Sequence, residues 1–172
     1  QAIAGHERHQ LEIGDDIGRL PPEIDVAIVA STADVRLKIL GQVLGSHRVG
    51  AWLLEKVLFQ KMEDYAAGLA LLRDNERVWV NLNQRQWPFF IDLRRRFAGD
   101  PALEVTIVGS NWGLGCNAVH NVDIAHFLWG EDLTHVADLD PALIESKRPG
   151  FKEFTGSLTS FRGSSPCLRQ VS

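Results

Sequence analysis

Apolar residues along this chain fall into alternating short runs and longer periodic stretches. The run Asp25 to Ala30 (DVAIVA) is almost wholly apolar and rich in Val and Ile, which predicts a strand covered on both faces, as in a parallel sheet. Ser31 or Thr32 then stands where a helix cap is needed. Val35, Leu37, Ile39, Leu40, Val43 and Leu44 supply the apolar positions of a helix that Gly45 is placed to stop. The run Val49 to Leu54 (VGAWLL) predicts a second buried strand. The pattern repeats with a helix over Met62 to Asn75, a strand over Val78 to Asn83 (VWVNLN) and a helix from Pro88 to Ala98, whose proline suits a first turn. Strand, helix, strand, helix predicts a parallel α/β sheet. Glu104 to Val108 reads as a further strand and Cys116 to Trp129 as a further helix. The weak alternation after Lys152 suits antiparallel strand, and the Ser- and Gly-rich end from Gly163 is expected to be loose.

This order of elements locates a candidate site before any chemistry is considered. In open parallel sheets, ligands bind outside the carboxyl ends of the strands, where loops and helix N-termini present unpaired N–H groups. Ser31 and Thr32 follow the first strand, Glu55 and Lys56 the second, and Asn83 and Arg85 the third, so all six are expected along one rim.

Composition narrows the classes. At 172 residues and 45% hydrophobic, the chain can bury one sizeable core. Its net charge of -4 comes from 18 basic and 22 acidic residues in mixed order, with no basic stripe, so a nucleic-acid partner is not expected. Cys116 and Cys167 lie far apart in a chain poor in cysteine, which excludes a disulfide framework and suits reduced thiols in a cytoplasmic protein. No stretch has the length of a membrane span and the first residues lack the order of a signal peptide, so no membrane partner is expected. The first residue is Gln1 rather than Met, which points to a natural start further upstream.

Two constellations carry candidate chemistry. Lys56 directly follows a buried strand, so its ammonium emerges at the rim, where partial desolvation could tune it; the alternative is a surface lysine lying beside Glu55. Cys116, His120 and Asp123 are spaced four and three apart, on one helix face, so the carboxylate could orient the imidazole as a general base near neutral pH. The alternative there is a histidine satisfied structurally by a neighbouring acid. His126 falls well round the helix from His120, and no remote ligand pair joins them, so no metal site is expected. His6 and His9 are three apart and read as solvated, while Trp79, Trp87, Trp112 and Trp129 read as core or pocket wall.

Taken in order, the segments DVAIVAST, LLEKVL, NLNQRQWP and CNAVHNVDIAHFLWG, from Ile24 to Gly130, resemble the family of glucose-fructose oxidoreductase and inositol dehydrogenase. In that family the second segment typically reads Glu-Lys-Pro, the third ends in Arg-x-x-Pro, and the fourth contains Asp-x-x-x-His-x-x-Asp. Here they stand as Glu55-Lys56-Val57, Arg85-Gln86-Trp87-Pro88 and Cys116-x-x-x-His120-x-x-Asp123. The resemblance implies the second half of a Rossmann-type parallel sheet over residues 1–84, followed over 85–172 by the start of an α+β substrate domain with an antiparallel sheet, and an active site in the cleft between the two. It implies NAD or NADP as cofactor and a sugar, sugar nucleotide or polyol as substrate. Lys56 would hydrogen-bond the substrate hydroxyl and His120 accept its proton. Ser31, Thr32 and Glu55 would lie against the cofactor, with Arg85 near its nicotinamide end, and Cys116, Asn117 and Asp123 would face the substrate.

Three departures bear on that expectation. Val57 stands for the usual proline, and Cys116 for the usual aspartate, exchanging a charged acceptor for a weak one. No G-x-G-x-x-G occurs anywhere in the sequence. The chain is therefore expected to be about half of such a protein, with a homo-oligomer left open. The competing reading is a non-catalytic binding or assembly protein on a degenerate scaffold.

Overall fold

The computed structural model describes residues 11–97, 100, 103–110, 112–130 and 132–172. His6, His9 and Ala98 lie outside the described residues. The chain divides into two compact units, Gln1–Trp79 and Val80–Ser172.

In the first unit the elements run β1 (Glu23–Ile24), β2 (Ala27–Val29), α1 (Ala33–Ser46), β3 (Arg48–Val49), β4 (Trp52–Leu54), α2 (Met62–Leu72) and β5 (Val78–Val80), whose last residue opens the second unit. The three expected strands are neighbours in one sheet of order β2-β4-β5, with β2 and β4 parallel. The run Val49 to Leu54 is two strands rather than one. Val49 pairs with Ile24 in a separate parallel ladder of β1 and β3, and Gly50 and Ala51 intervene before β4. Gly50 lies so close to Asp25 O that a Cβ there would sit 2.9 Å from it, which explains why the chain steps between ladders at a glycine.

The core of this unit is Val29, Leu40, Val43, Trp52, Leu54 and Phe59. On α1 the buried positions are Arg36, Leu40 and Val43, the four-then-three spacing of one helix face. Trp52 is fully buried, and its indole N–H donates to Asn75 Oδ1 at 3.1 Å, satisfying the one polar atom the ring brings inside. Helix α1 continues one residue past Gly45 to Ser46, because the His47 N–H still reaches Val43 O. Helix α2 ends at Leu72, where the Asn75 N–H turns back to Leu72 O.

The second unit runs through a 3-10 turn (Asn83–Gln86), α3 (Pro88–Phe97), β6 (Val105–Val108), α4 (Leu114–Trp129), β7 (Thr134–Leu139), β8 (Ile144–Glu145), β9 (Lys152–Glu153), β10 (Gly156–Arg162) and β11 (Ser165–Val171). Its main sheet has the order β6-β11-β10-β7, with β6 parallel to β11 and the other pairs antiparallel. Helix α4 packs on β10 and β11 through Ile124, Ala125 and Leu128. The expected strand at Glu104 to Val108 thus exists, but in this mixed sheet.

The end of the chain corrects the sequence reading. From Gly163 it is not loose: β11 lies between β6 and β10, and Cys167, Leu168 and Gln170 are buried. The small residues serve the two-residue connection from Arg162 to Ser165, where Gly163 adopts φ 61°, a conformation glycine takes without strain. Trp79 and Trp87 are about half exposed, at 53% and 48%, so neither is a core residue, whereas Trp52 is fully buried in the core.

Gly68 gives a stability test of the first unit. A glycine inside a helix ordinarily gains about 1 kcal/mol on conversion to alanine. Here a Cβ would stand 2.6 Å from Cε2 and Cζ of Phe59, whose buried ring is held edge-on by Tyr65. Gly68→Ala is therefore expected to destabilise, by roughly 1–3 kcal/mol, lowering the urea midpoint rather than raising it.

Candidate functional site

Parallel pairing brings the first four rim residues together. Val29 is paired with Leu54, so β2 and β4 end side by side, and the Glu55 N–H extends the ladder by donating to Val29 O at 3.1 Å. Ser31 and Thr32 leave the end of one strand and Glu55 and Lys56 the end of its neighbour. Thr32 occupies the N-cap position of α1 without a side-chain cap bond, and Ser31 Oγ is buried with no hydrogen-bond partner among the described residues. The Lys56–Val57 peptide is cis. β5 stops at Val80, and Asn83 and Arg85 fall in the 3-10 turn of the second unit.

Arg36 is the residue that sequence reasoning missed. It is 1% exposed, and its guanidinium donates to Val57 O at 2.5 Å, to Leu58 O at 2.7 Å and to Ser31 O. Burial pushes its pKa down from the ordinary value, while the negative charges of Glu55, Tyr65 and Asp34, when ionised, act to raise it. The signal was present in the sequence: a charged residue stands on the apolar stripe four residues before Leu40 and seven before Val43.

In the second unit, α4 carries Cys116, Asn117, His120 and Asp123. Its N-terminus is occupied by the chain's own carboxylate: buried Glu153 accepts from the backbone N–H groups of Gly115 and Phe154. A negative charge there is favoured by the unpaired amides and the helix dipole. A Cβ on Gly115 would lie 2.5 Å from Glu153 Oε1, so a glycine permits this approach. Cys116 is exposed, with its thiol 3.6 Å from Gly113 O, and Asn117 Nδ2 donates to Trp112 O at 2.6 Å. Cys116 and Cys167 are both free thiols, and burial raises the pKa of Cys167.

The Asp123 carboxylate is held by Arg85, which donates from Nε to Oδ2 at 2.9 Å and from an Nη to Oδ1. This is a two-point fork, with the Asp123 side chain only 10% exposed. Arg85 therefore has a partner on α4, and Asp123 has a cationic one. Phe127, one turn further along, lies 5.8 Å from the Arg85 guanidinium and 4.6 Å from that of Arg94.

His126 joins a different group. Its Nδ1 is 3.2 Å from Gly130 O, its Nε2 is 3.1 Å from His135 Nε2, and His135 Nδ1 is 2.9 Å from Ser160 Oγ. Because a carbonyl only accepts, neutral His126 donates from Nδ1 and accepts at Nε2; His135 then donates from Nε2 and accepts the Ser160 hydroxyl. Extra protons place donor against donor.

Two measurements follow from these contacts. Asp123→Ala removes both hydrogen bonds of the Arg85 fork and is expected to cost about 1–3 kcal/mol. The double variant with Arg85→Ala should cost less than the sum of the single changes in a denaturation cycle. The pKa of His135 is lowered from 6.5 by burial first and the charge of His126 second. A histidine whose folded pKa is depressed binds its proton more readily when unfolded, so its contribution is intact above about 6.5 and is lost as pH falls below it. The urea midpoint should therefore fall on acidification through that range, and His135→Gln should reduce the slope.

No family profile matches the sequence, and no curated protein matches it. Solved structures do match in fold. One is a protein assigned as a myo-inositol dehydrogenase from Sinorhizobium meliloti, with TM-score 0.61 and 20% identity over 86% of this chain and 50% of that one. A protein assigned as a dehydrogenase from Thermotoga maritima matches with TM-score 0.66 and 15% identity, over 92% of this chain and 54% of that one. A third, assigned as an NADPH-dependent oxidoreductase from Desulfitobacterium hafniense, gives TM-score 0.61 and 10% identity over 86% and 48%. The chain spans about half the length of these structures. Its fold is similar to that of these dehydrogenase and oxidoreductase structures, over about half of each.

Proposed function

We propose that the intact protein transfers a hydride between a nicotinamide cofactor, NAD or NADP, and a hydroxyl-bearing carbon of a sugar, sugar nucleotide or polyol. The supporting observation is that a fold shared with oxidoreductases carries Ser31, Thr32, Glu55 and Lys56 at the joint carboxyl end of two parallel strands. That is where such sheets accept dinucleotides.

The residues present fit one half of the cofactor. The buried, unpartnered Ser31 Oγ and the Thr32 hydroxyl, which makes no cap bond, are polar groups available at the rim. With Glu55 they would hold the nicotinamide half, and Arg85 would lie near its nicotinamide end. No G-x-G-x-x-G occurs in this sequence. When bound, the nicotinamide supplies a two-electron hydride acceptor.

The chain's own groups handle the proton. The Lys56 ammonium donates a hydrogen bond to the substrate oxygen, favouring its alkoxide character, and His120 accepts the hydroxyl proton at Nε2, its Nδ1 being buried. Asn117 and Asp123 orient the remaining hydroxyls. Cys116 contributes only a weak donor and acceptor there, which shifts substrate recognition onto its neighbours. That cysteine also favours a second reading, a non-catalytic binding or assembly protein on the same scaffold.

Kinetics of the intact protein separate the two. His120→Ala is expected to lower turnover by ~10² to 10⁴-fold with cofactor affinity nearly unchanged. Lys56→Ala should do comparable damage, and Lys56→Arg should restore only part, since a planar guanidinium does not reproduce a compact ammonium. Near-normal turnover in either alanine variant, or none in the unmodified protein with either cofactor, favours the scaffold reading. Calorimetry on the 172-residue chain alone should register no measurable NAD or NADP binding, because the G-x-G-x-x-G whose backbone N–H groups offset phosphate desolvation is absent from this sequence.

A further inference from the structure

Arg36 stands on the buried stripe of α1 with Leu40 and Val43, where a leucine would satisfy the helix and fill the core without bringing a charge inside. Its two terminal nitrogens bond backbone carbonyls, while its Nε is buried with no hydrogen-bond partner among the described residues. One Nη donates to Val57 O and Leu58 O, and the other to Ser31 O, residues 21, 22 and 5 positions away. These carbonyls belong to two loops: the one that leaves β2 with Ser31 and Thr32, and the one that leaves β4 with Glu55 and Lys56.

We propose that Arg36 is a positioning residue, a buried fork that joins the two loops through the carbonyls of Ser31, Val57 and Leu58 and so sets where Lys56 emerges. This rests on the reading of Lys56 as a catalytic group. The guanidinium suits the task for a geometric reason. Its N–H donors diverge from one rigid plane, so a single side chain reaches carbonyls in two loops at fixed separation, whereas an ammonium offers one centre. It is not itself a ligand-binding arginine, since both terminal nitrogens are already committed and the residue is sealed from solvent. Lys56 follows the strand and Val57 follows Lys56, so release of the Val57 and Leu58 carbonyls frees the segment immediately beyond the lysine.

The test uses the intact protein with Arg36→Ala and Arg36→Lys, each measured with and without added methylguanidinium. Three readouts are taken: thermal midpoint, the kcat and KM for substrate and cofactor, and the pH profile of Lys56 acylation by a small anhydride, read by peptide mass. Arg36→Ala is expected to lower kcat by about 10- to 100-fold, the scale of a misplaced catalytic group, with a smaller change in cofactor KM. The Lys56 acylation profile should shift, because the loop beside it is released. Methylguanidinium should restore both toward the original values in the alanine variant, and Arg36→Lys should fall between the two. If Arg36→Ala does not fold, the lysine variant decides by the same readouts. A lowered thermal midpoint with kcat and the Lys56 profile unchanged would overturn the proposal and leave Arg36 a structural residue only. If the unmodified protein shows no turnover, the oxidoreductase reading fails by itself. The acylation profile and its recovery by methylguanidinium then still decide whether Arg36 positions Lys56.

Discussion

Backbone groups left over where strands and helices end must find partners once they are covered, and this chain satisfies several of them with buried charges. In the first unit the guanidinium of Arg36 takes the carbonyls of Ser31, Val57 and Leu58, beyond the last paired residues of β2 and β4. In the second unit the carboxylate of Glu153 takes the N–H of Gly115 at the start of α4 and that of Phe154, the residue that follows it. Each charge would be costly to bury alone, and each set of backbone groups would be costly to leave unmade. Together they fix the loop that precedes Thr32 and the helix that carries His120.

The parallel pairing of β2 and β4 was legible because both strands are short apolar runs and because each is followed by helical periodicity. What the pattern did not disclose was the break at Gly50 and Ala51. Both residues are small and continue an apolar run, and only the close approach to Asp25 O shows that the chain changes ladder there. The order of β6 and β11 was likewise hidden. Parallel pairing between strands separated by α4 and the four strands β7 to β10 depends on contacts remote in sequence, which local pattern cannot encode. The Ser- and Gly-rich end reads as loose by composition, yet it becomes a central strand because Cys167, Leu168 and Gln170 fall on positions the sheet and α4 cover.

The site was legible in its residues more than in its pairings. Ser31, Thr32, Glu55 and Lys56 stand beyond the carboxyl ends of two paired parallel strands, where the rim rule expects ligand-facing residues. Arg36 was passed over because a helix pattern scored by apolar residues treats a charge as a gap, although position and spacing put it on the covered face. The spacing of His120 and Asp123 showed that they share a helix face but could not show that Arg85, remote in sequence, claims both carboxylate oxygens.

That claim changes the electrostatics expected around His120. A bare carboxylate one turn away would stabilise an imidazolium through a full negative charge, whereas a carboxylate forked to a guanidinium presents a dipole, whose field falls off faster with distance. Asp123 with Arg85 is therefore better suited to fixing shape than to driving proton uptake: the pair ties α4 to the 3-10 turn and holds the helix face on which His120, Asn117 and Cys116 stand. With Cys116 in place of a charged residue and Asp123 neutralised by its partner, that face carries little net negative charge of its own.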